Sequence, residues 1–362
     1  MKTLGSLLVA GALLASSVAL GQTPADVGHR SNLGLPVVGM ITGAGSTFAF
    51  PVIGKWSQLY RSVKADGADM VPLDIGIEYE PIGSLGGEVR VTQRAVDFGA
   101  TDRPVSSAEL ARTAMIQFPF VMGGIVPVVN IDGVGAGQLR LTGPVLADIY
   151  LGKIRTWSDA TIKALNPDVK LPEAMINVVW RSDGSGTTFN WTDYLSRVSP
   201  DWAGKVGANT QVVWPVGTGA ERTQGVINAL SRTKNAIGYV ELGQVLRASL
   251  AYTLLQNKAG TFVKPDAASL QAAAASADWN ASKDFAVMLT DAPGAQSWPI
   301  VATTFALVPK PLNARSREAI SFFRIALDKG AADATSLGYV ALPEPLVKQI
   351  KSYWDTALNP GG

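Results

Sequence analysis

The chain has 362 residues, with 31 basic and 29 acidic side chains, no Cys and one His. A charge this close to neutral, without a Lys/Arg run, lacks the electrostatic footprint of a nucleic-acid binder, and the absence of Cys excludes disulfides. With a single His, a zinc or two-metal centre would need carboxylates almost alone, so no metal, no cofactor and no catalytic residue is expected.

The N-terminus reads as an export signal. Lys2 supplies a short positive region, Leu7 to Ala15 an uncharged apolar stretch, and Ala19 to Gly21 small residues for cleavage before Gln22. Gly5, Ser6, Ser16 and Ser17 dilute the stretch below the ~20 apolar residues of a membrane span. No Cys follows that could carry a lipid, so residues 1–21 are expected to be removed and the mature chain to diffuse freely in a periplasm-like space. Residues 22–37 read as a loose mature N-terminus.

From Val38 onward short apolar strands alternate with amphipathic helices, the pattern of an α/β protein. Length sets a prior of two domains of about 150 residues. Val38–Thr42 is a predicted strand, and Gly43 to Thr47 a small-residue turn. Val52, Ile53, Trp56, Leu59, Tyr60 and Val63 then fall at helical spacing. Ile75–Tyr79 alternates as a strand and runs into Pro81 to Gly87. Ala95–Gly99 is a further strand, followed by Thr101-Asp-Arg-Pro104. Ser106 and Glu109 match a capping box. Phe118–Val129 carries no charge over twelve residues, too few to span a bilayer, and reads as a long buried strand crossing between domains. Thr142 is placed to cap a helix that runs to about Leu151. Ile176–Trp180 is a strand, Arg181 to Thr187 its turn, and Trp191, Tyr194, Leu195 and Val198 one face of the next helix. Ala236–Leu242 and Ile300–Val308 read as strands, with terminal helices near Arg315–Lys329 and Pro345–Ala357.

Three of these strand-to-helix turns share one composition: Gly45-Ser46-Thr47, Gly83-Ser84 with Gly86-Gly87, and Ser185-Gly186-Thr187. The first turn of a helix carries unpaired N–H groups and partial positive charge, so such ends bind oxyanions. Ser or Thr there is also an ordinary N-cap, and both readings stand. Arg181 closes its strand just before the Ser185 turn, where a guanidinium fork would suit two oxygens of a tetrahedral anion. Asp183 would orient it, although the two could equally form a surface ion pair. Asp102 is the odd group, because an ionised carboxylate only accepts hydrogen bonds. Beside an anion it is tolerable only if the anion carries a hydrogen. Phosphate keeps one near neutrality and sulfate none, so Asp102 would admit the first and penalise the second. A turn or capping role before Pro104 would explain it as well.

Taken together, Ile41-Thr-Gly-Ala-Gly-Ser-Thr-Phe48, Pro81-Ile-Gly-Ser-Leu-Gly-Gly87, Val96-Asp-Phe-Gly-Ala-Thr-Asp102 and Arg181-Ser-Asp-Gly-Ser-Gly-Thr187 resemble the phosphate-binding protein family of ABC-type phosphate transporters. Asp148-Ile-Tyr-Leu-Gly-Lys153, Ala236-Ile-Gly-Tyr-Val-Glu241 and Trp298-Pro-Ile extend the likeness over nearly the whole mature chain, in the same order. The resemblance implies a two-lobed periplasmic-binding-protein-like fold, each lobe a mixed sheet flanked by helices, with two crossover strands. It implies lobes formed by 38–121 plus 298–362 and by 122–297, with inorganic phosphate between them. Carried over by motif, the ligand-binding residues are Thr47, Phe48, Ser84, Asp102, Arg181, Ser185, Gly186 and Thr187, with Asp183 in support. Leu85 stands where the family typically has a second Ser, and Thr101 where it often has Ser. The implied partner is the membrane permease of a phosphate ABC transporter, and a monomer is expected.

Two other functions bear on the same residues. A secreted phosphate-ester hydrolase using Ser84 or Ser185 needs a base, and the sole His, His29, sits in the loose N-terminal segment. Neither serine has the nucleophile-elbow spacing, and no GxxxxGK[ST] loop is present. The other alternative keeps the fold and binds a different tetrahedral oxyanion.

Overall fold

The computed structural model describes residues 39–65, 76–280 and 283–358. The expected signal peptide, the loose segment 22–37 and His29 lie outside the described residues. The chain runs β1 (Ile41–Gly45), α1 (Phe50–Lys64), β2 (Ile77–Glu80), α2 (Ser84–Thr92), β3 (Phe98–Thr101), α3 (Ser107–Thr113), β4 (Met115–Asn130), β5 (Arg140–Leu141), α4 (Gly143–Tyr150), α5 (Ala160–Leu165), β6 (Asn177–Arg181) and α6 (Gly186–Val198). It continues through α7 (Pro200–Lys205), β7 (Thr218–Ala220), α8 (Arg222–Arg232), β8 (Ala236–Glu241), α9 (Leu242–Arg247), β9 (Ala251–Tyr252), β10 (Leu254–Gln256), β11 (Phe262–Val263), α10 (Ala267–Ala275), β12 (Leu289–Thr290), β13 (Ile300–Pro309), α11 (Ala314–Lys329), α12 (Ala331–Ser336) and α13 (Glu344–Leu358).

The main sheet has the order β2-β1-β3-β13-β4-β8-β6-β7. At one end β2, β1 and β3 are parallel; at the other, β8, β6 and β7 are parallel. Between them β13 and β4 run antiparallel to their neighbours. The sixteen-residue β4 pairs with β13 from Met115 to Gly124, then with β8 from Ile125 to Asn130. One strand therefore serves both ends, as the charge-free run Phe118–Val129 predicts, and β13 is the return crossing. This is a two-lobed mixed α/β architecture with two crossing strands.

Each end has its own aromatic core. Phe118 packs edge-on to Phe323 and Trp354, with ring centroids 5.3 and 4.8 Å apart. At the other end Trp191 stacks on Tyr239 at 4.8 Å, with Tyr150 and Trp214 against the same ring. Offset and edge-on pairs of this kind add about 0.5–1.5 kcal/mol beyond area burial. The predicted caps are present: Ser106 accepts from Glu109 N–H, and Thr142 from Val145 N–H.

Two predicted boundaries are shifted. Gly43 to Gly45 belong to β1 instead of the turn after it, and β3 begins at Phe98 instead of Ala95. The reason is close packing. Gly43 lies under the Phe98 ring, where a Cβ would collide with three ring carbons. Small residues here let the strand pass beneath an aromatic side chain, and a reading by composition takes them for a turn. Helix α1 also starts later than the Gly45-Ser46-Thr47 turn: its N-cap is Ala49, and Pro51 lies in its first turn.

Candidate functional site

The parallel strands β1, β2 and β3 point their carboxyl ends at one place, as β6 does from the other end of the sheet. Clefts beyond the carboxyl ends of parallel strands are the usual binding positions in open α/β sheets. Asp102 directly follows β3 and is 2% exposed. Its Oδ1 accepts from Ser46 Oγ at 2.7 Å and from Thr304 Oγ1 at 2.8 Å. Its Oδ2 has only Ser84 Oγ, at 3.4 Å, while Asp102 N–H donates to Ser84 Oγ at 3.1 Å. Burial pushes the carboxyl up to about 6, against the hydroxyls of Ser46 and Thr304, the charge of Arg181 and the hydroxyl of Ser84.

Thr47 and Phe48 lie in the bend between β1 and α1. Thr47 Oγ1 shares a hydrogen bond of 2.7 Å with Thr223 Oγ1. Phe48 is fully buried, its ring edge-on to Tyr339, whose hydroxyl donates to the Phe48 carbonyl at 2.6 Å. The Tyr339 bond fixes the main chain at Phe48, and the Thr223 bond fixes the Thr47 side chain.

Arg181 ends β6 and is 3% exposed. Asp183 holds it in a two-pronged pair: Nε donates to Oδ1 at 2.7 Å, and Nη2 donates to Oδ2. Arg222 N–H adds a bond to Asp183 Oδ1 at 2.8 Å. Burial pushes Asp183 up, but Arg181 and the Arg222 N–H outweigh it and hold the carboxyl below the usual carboxylate range. The pairing orients the guanidinium and leaves its Nη1 end, which reaches Thr223 Oγ1 at 3.4 Å. The main chain is fixed too, since Arg181 N–H donates to Tyr239 OH at 3.1 Å. Ser185 caps α6 by accepting from Thr188 N–H at 3.1 Å, so its oxygen serves the helix while its hydrogen stays free to donate. Gly186 and Thr187 are buried in the first turn.

The two sides meet. A Cβ at Gly186 would strike Ser84 Oγ and the Asp102 main chain, so only Gly allows this approach. Asn190 Nδ2, one turn further along α6, donates to the Asp102 carbonyl at 2.6 Å. Leu85 N–H donates to the Gly184 carbonyl at 3.2 Å, and Gln244 Nε2 to the Thr47 carbonyl at 3.4 Å. The predicted turns therefore converge, with Asp102 and the α6 N-terminus face to face. Sequence reasoning left out Ser46, Thr304, Thr223, Asn190, Tyr239 and Gln244. Ser46 was visible inside its motif, and Asn190 as a buried amide in a helix. Nothing local marks Thr223 or Thr304.

The model of the PBP superfamily domain matches residues 30–326. The phosphate-binding protein PstS of Xylella fastidiosa is 46% identical over 316 residues, which is 87% of this chain and 84% of that protein. The chain belongs to the PstS phosphate-binding protein family. PstS of Pasteurella multocida is 43% identical over 321 residues, 88% of this chain and 91% of its own. The phosphate binding protein of Stenotrophomonas maltophilia shares the fold at TM-score 0.62 and 18% identity, covering 87% of this chain and 94% of that one. The property this family is named for is binding. Among the described residues no helix is long and apolar enough to cross a membrane.

Proposed function

We propose that this chain binds inorganic phosphate outside the cytoplasmic membrane and hands it to the permease of an ABC transporter. The observation that carries the reading is Asp102, a buried carboxylate with one oxygen filled by hydroxyls and the other turned toward a donor-rich turn. The family and its phosphate-binding members support the ligand. In this reading Asp102 Oδ2 accepts the hydrogen of phosphate. Main-chain N–H groups at Thr47 and Phe48, the hydroxyls of Thr47, Ser84, Ser185 and Thr187, the Gly186 N–H and the Nη1 end of Arg181 donate to its oxygens, and Asp183 orients Arg181. Such enclosure is needed because burying an anion is costly unless its oxygens are paired. Hydrogen bonds to charged groups are worth roughly 1.5–3 kcal/mol net each, and micromolar binding needs about −8 kcal/mol. The donors named here exceed that.

We take residues 38–121 with 298–362 as one lobe and 122–297 as the other. The change of partner along β4 between Gly124 and Ile125 supports this division. The protein works as a monomer in the periplasm after loss of residues 1–21. It binds without turning over its ligand: Ser185 is engaged as a cap, and Ser84 is bonded to Asp102. Calorimetric titration of the purified mature chain with phosphate tests the reading. A dissociation constant in the micromolar range or below, with a change in tryptophan fluorescence on closure, is expected. Affinity no better than millimolar would defeat it.

A further inference from the structure

Thr304 lies at an irregularity in β13. The register with β4 runs Thr303↔Met122 and Thr304↔Val121, then skips to Phe305↔Pro119, so Phe120 is an extra residue in β4. Pro119 has no N–H to give the ladder, and a bulge is where a strand tolerates that. Bulges bend the pair and re-aim neighbouring side chains. Opposite this one, the fully buried Thr304 directs its hydroxyl across to Asp102 Oδ1 at 2.8 Å, on a group 202 residues away in sequence.

An ionised carboxylate has about four lone-pair positions, two on each oxygen. Ser46 and Thr304 occupy both positions on Oδ1. Oδ2 has only the 3.4 Å contact from Ser84, whose own oxygen already accepts from Asp102 N–H. The carboxylate is therefore asymmetric, with one oxygen filled and one available. We propose that Thr304 is a specificity-determining positioning residue, which with Ser46 fills Oδ1, keeps Asp102 an ionised acceptor and leaves Oδ2 to test an oxyanion for a hydrogen. This rests on the phosphate reading above and adds how the test is enforced.

The enforcement is electrostatic. A protonated Asp102 would donate, and a fully deprotonated oxyanion such as sulfate would accept that proton as readily as phosphate would. Selectivity thus requires the ionised form in a buried place that favours the neutral one. The charged and titratable groups facing Asp102 are Arg181, Tyr79 and Tyr339. Arg181 favours the carboxylate. Tyr339 is buried and Tyr79 half-buried; both phenols stay neutral, donating to the carbonyls of Phe48 and Ser46. That leaves the three hydroxyls and Arg181 to oppose burial, and Thr304 is one of only two hydroxyls within 3 Å.

The test uses the full mature chain, titrated with phosphate and with sulfate between about pH 5.5 and 8.5, for wild type, T304V and T304S. Val keeps the shape of Thr and removes the hydroxyl; Ser keeps the hydroxyl. Loss of one hydrogen bond to a charged group corresponds to roughly a tenfold change or more. T304V is expected to lower the phosphate-to-sulfate preference by about that factor and to move the acid limb of phosphate binding upward by about one pH unit. T304S is expected to restore both. A T304V protein that weakens both anions equally, with an unmoved pH profile, would make Thr304 merely structural and overturn the proposal. If T304V fails to fold, S46A removes the other donor from the same oxygen and decides: an unchanged preference and profile overturns the proposal, and a shift in the same direction supports it. Wild type that binds neither anion would instead defeat the phosphate reading itself.

Discussion

Asp102 and Arg181 are both buried charges at one cleft, yet they are held in opposite ways. Arg181 has a carboxylate of its own: Asp183 takes two prongs of the fork, and Arg222 N–H steadies Asp183. Among the described residues Asp102 has no cation in contact, and it is bracketed by the hydroxyls of Ser46, Thr304 and Ser84. The pairing holds Asp183 below the usual carboxylate range, whereas Asp102 rises to about 6. One side is a fixed charge and the other a carboxyl close to titration. A site built this way can attract an anion with the first and examine its protonation with the second.

Breaking the fixed-charge side should have the largest effect. Arg181→Lys keeps the charge but not the planar fork, and it leaves Asp183 poorly paired. Losing one or two charge-assisted bonds should weaken phosphate by about 100-fold or more, read by calorimetry, with phosphate and sulfate weakened alike because this side is blind to protons.

The titrating side should respond differently. Asp102→Asn removes the repulsion against a hydrogen-free anion, so sulfate should gain relative to phosphate. It also changes stability with pH. A folded pKa above the unfolded value means that the native ligand-free protein holds the extra proton. Its contribution is therefore present below about pH 4 and lost as pH rises through about 6. Asp102→Asn abolishes this slope and should stabilise the ligand-free protein above pH 6 by up to about 3 kcal/mol, measured by denaturant unfolding at several pH values. Glu241, which burial pushes to about 7 against the N–H groups of Gly243 and Gln244, should leave a residual slope up to neutrality.

Contacts between the sides are a third, smaller term. Asn190→Leu deletes the bond from α6 to the Asp102 carbonyl. One buried hydrogen bond is worth about 1 kcal/mol, more if the carbonyl is left unpaired. Phosphate should leave roughly tenfold faster in stopped-flow fluorescence, with association little altered and the preference over sulfate intact. Smallest of all is Leu85→Ser. Leu85 packs on Gly184 at the rim, and its main-chain N–H makes the cross-cleft bond whatever the side chain. Phosphate affinity should change by less than about threefold, within the range of an exposed substitution.

The same contrast marks what could be read from the sequence. Much that is local was legible: the alternation of strands and helices, the caps at Ser106 and Thr142, the long β4, and the turns that carry Asp102, Arg181 and Ser185. Their hydroxyls, glycines and charges sit within a few residues of one another. Thr304 was not legible, because in the sequence it is one polar residue in an apolar strand. Its meaning comes from a bulge in a partner strand and a carboxylate 202 residues away. Thr223 was hidden for the same reason, since it acts on groups 42 and 176 positions distant. The misplaced ends of β1 and β3 come from Gly43, whose lack of a side chain serves the Phe98 ring and not a turn.

The central claim is that Asp102 reads a single hydrogen. At about pH 8 phosphate and sulfate are both largely dianions of similar shape, and only phosphate still carries a hydrogen for the carboxylate to accept. Competition calorimetry of the wild-type protein at that pH should give tight phosphate binding that millimolar sulfate leaves unchanged. Sulfate binding as tightly as phosphate would contradict the account.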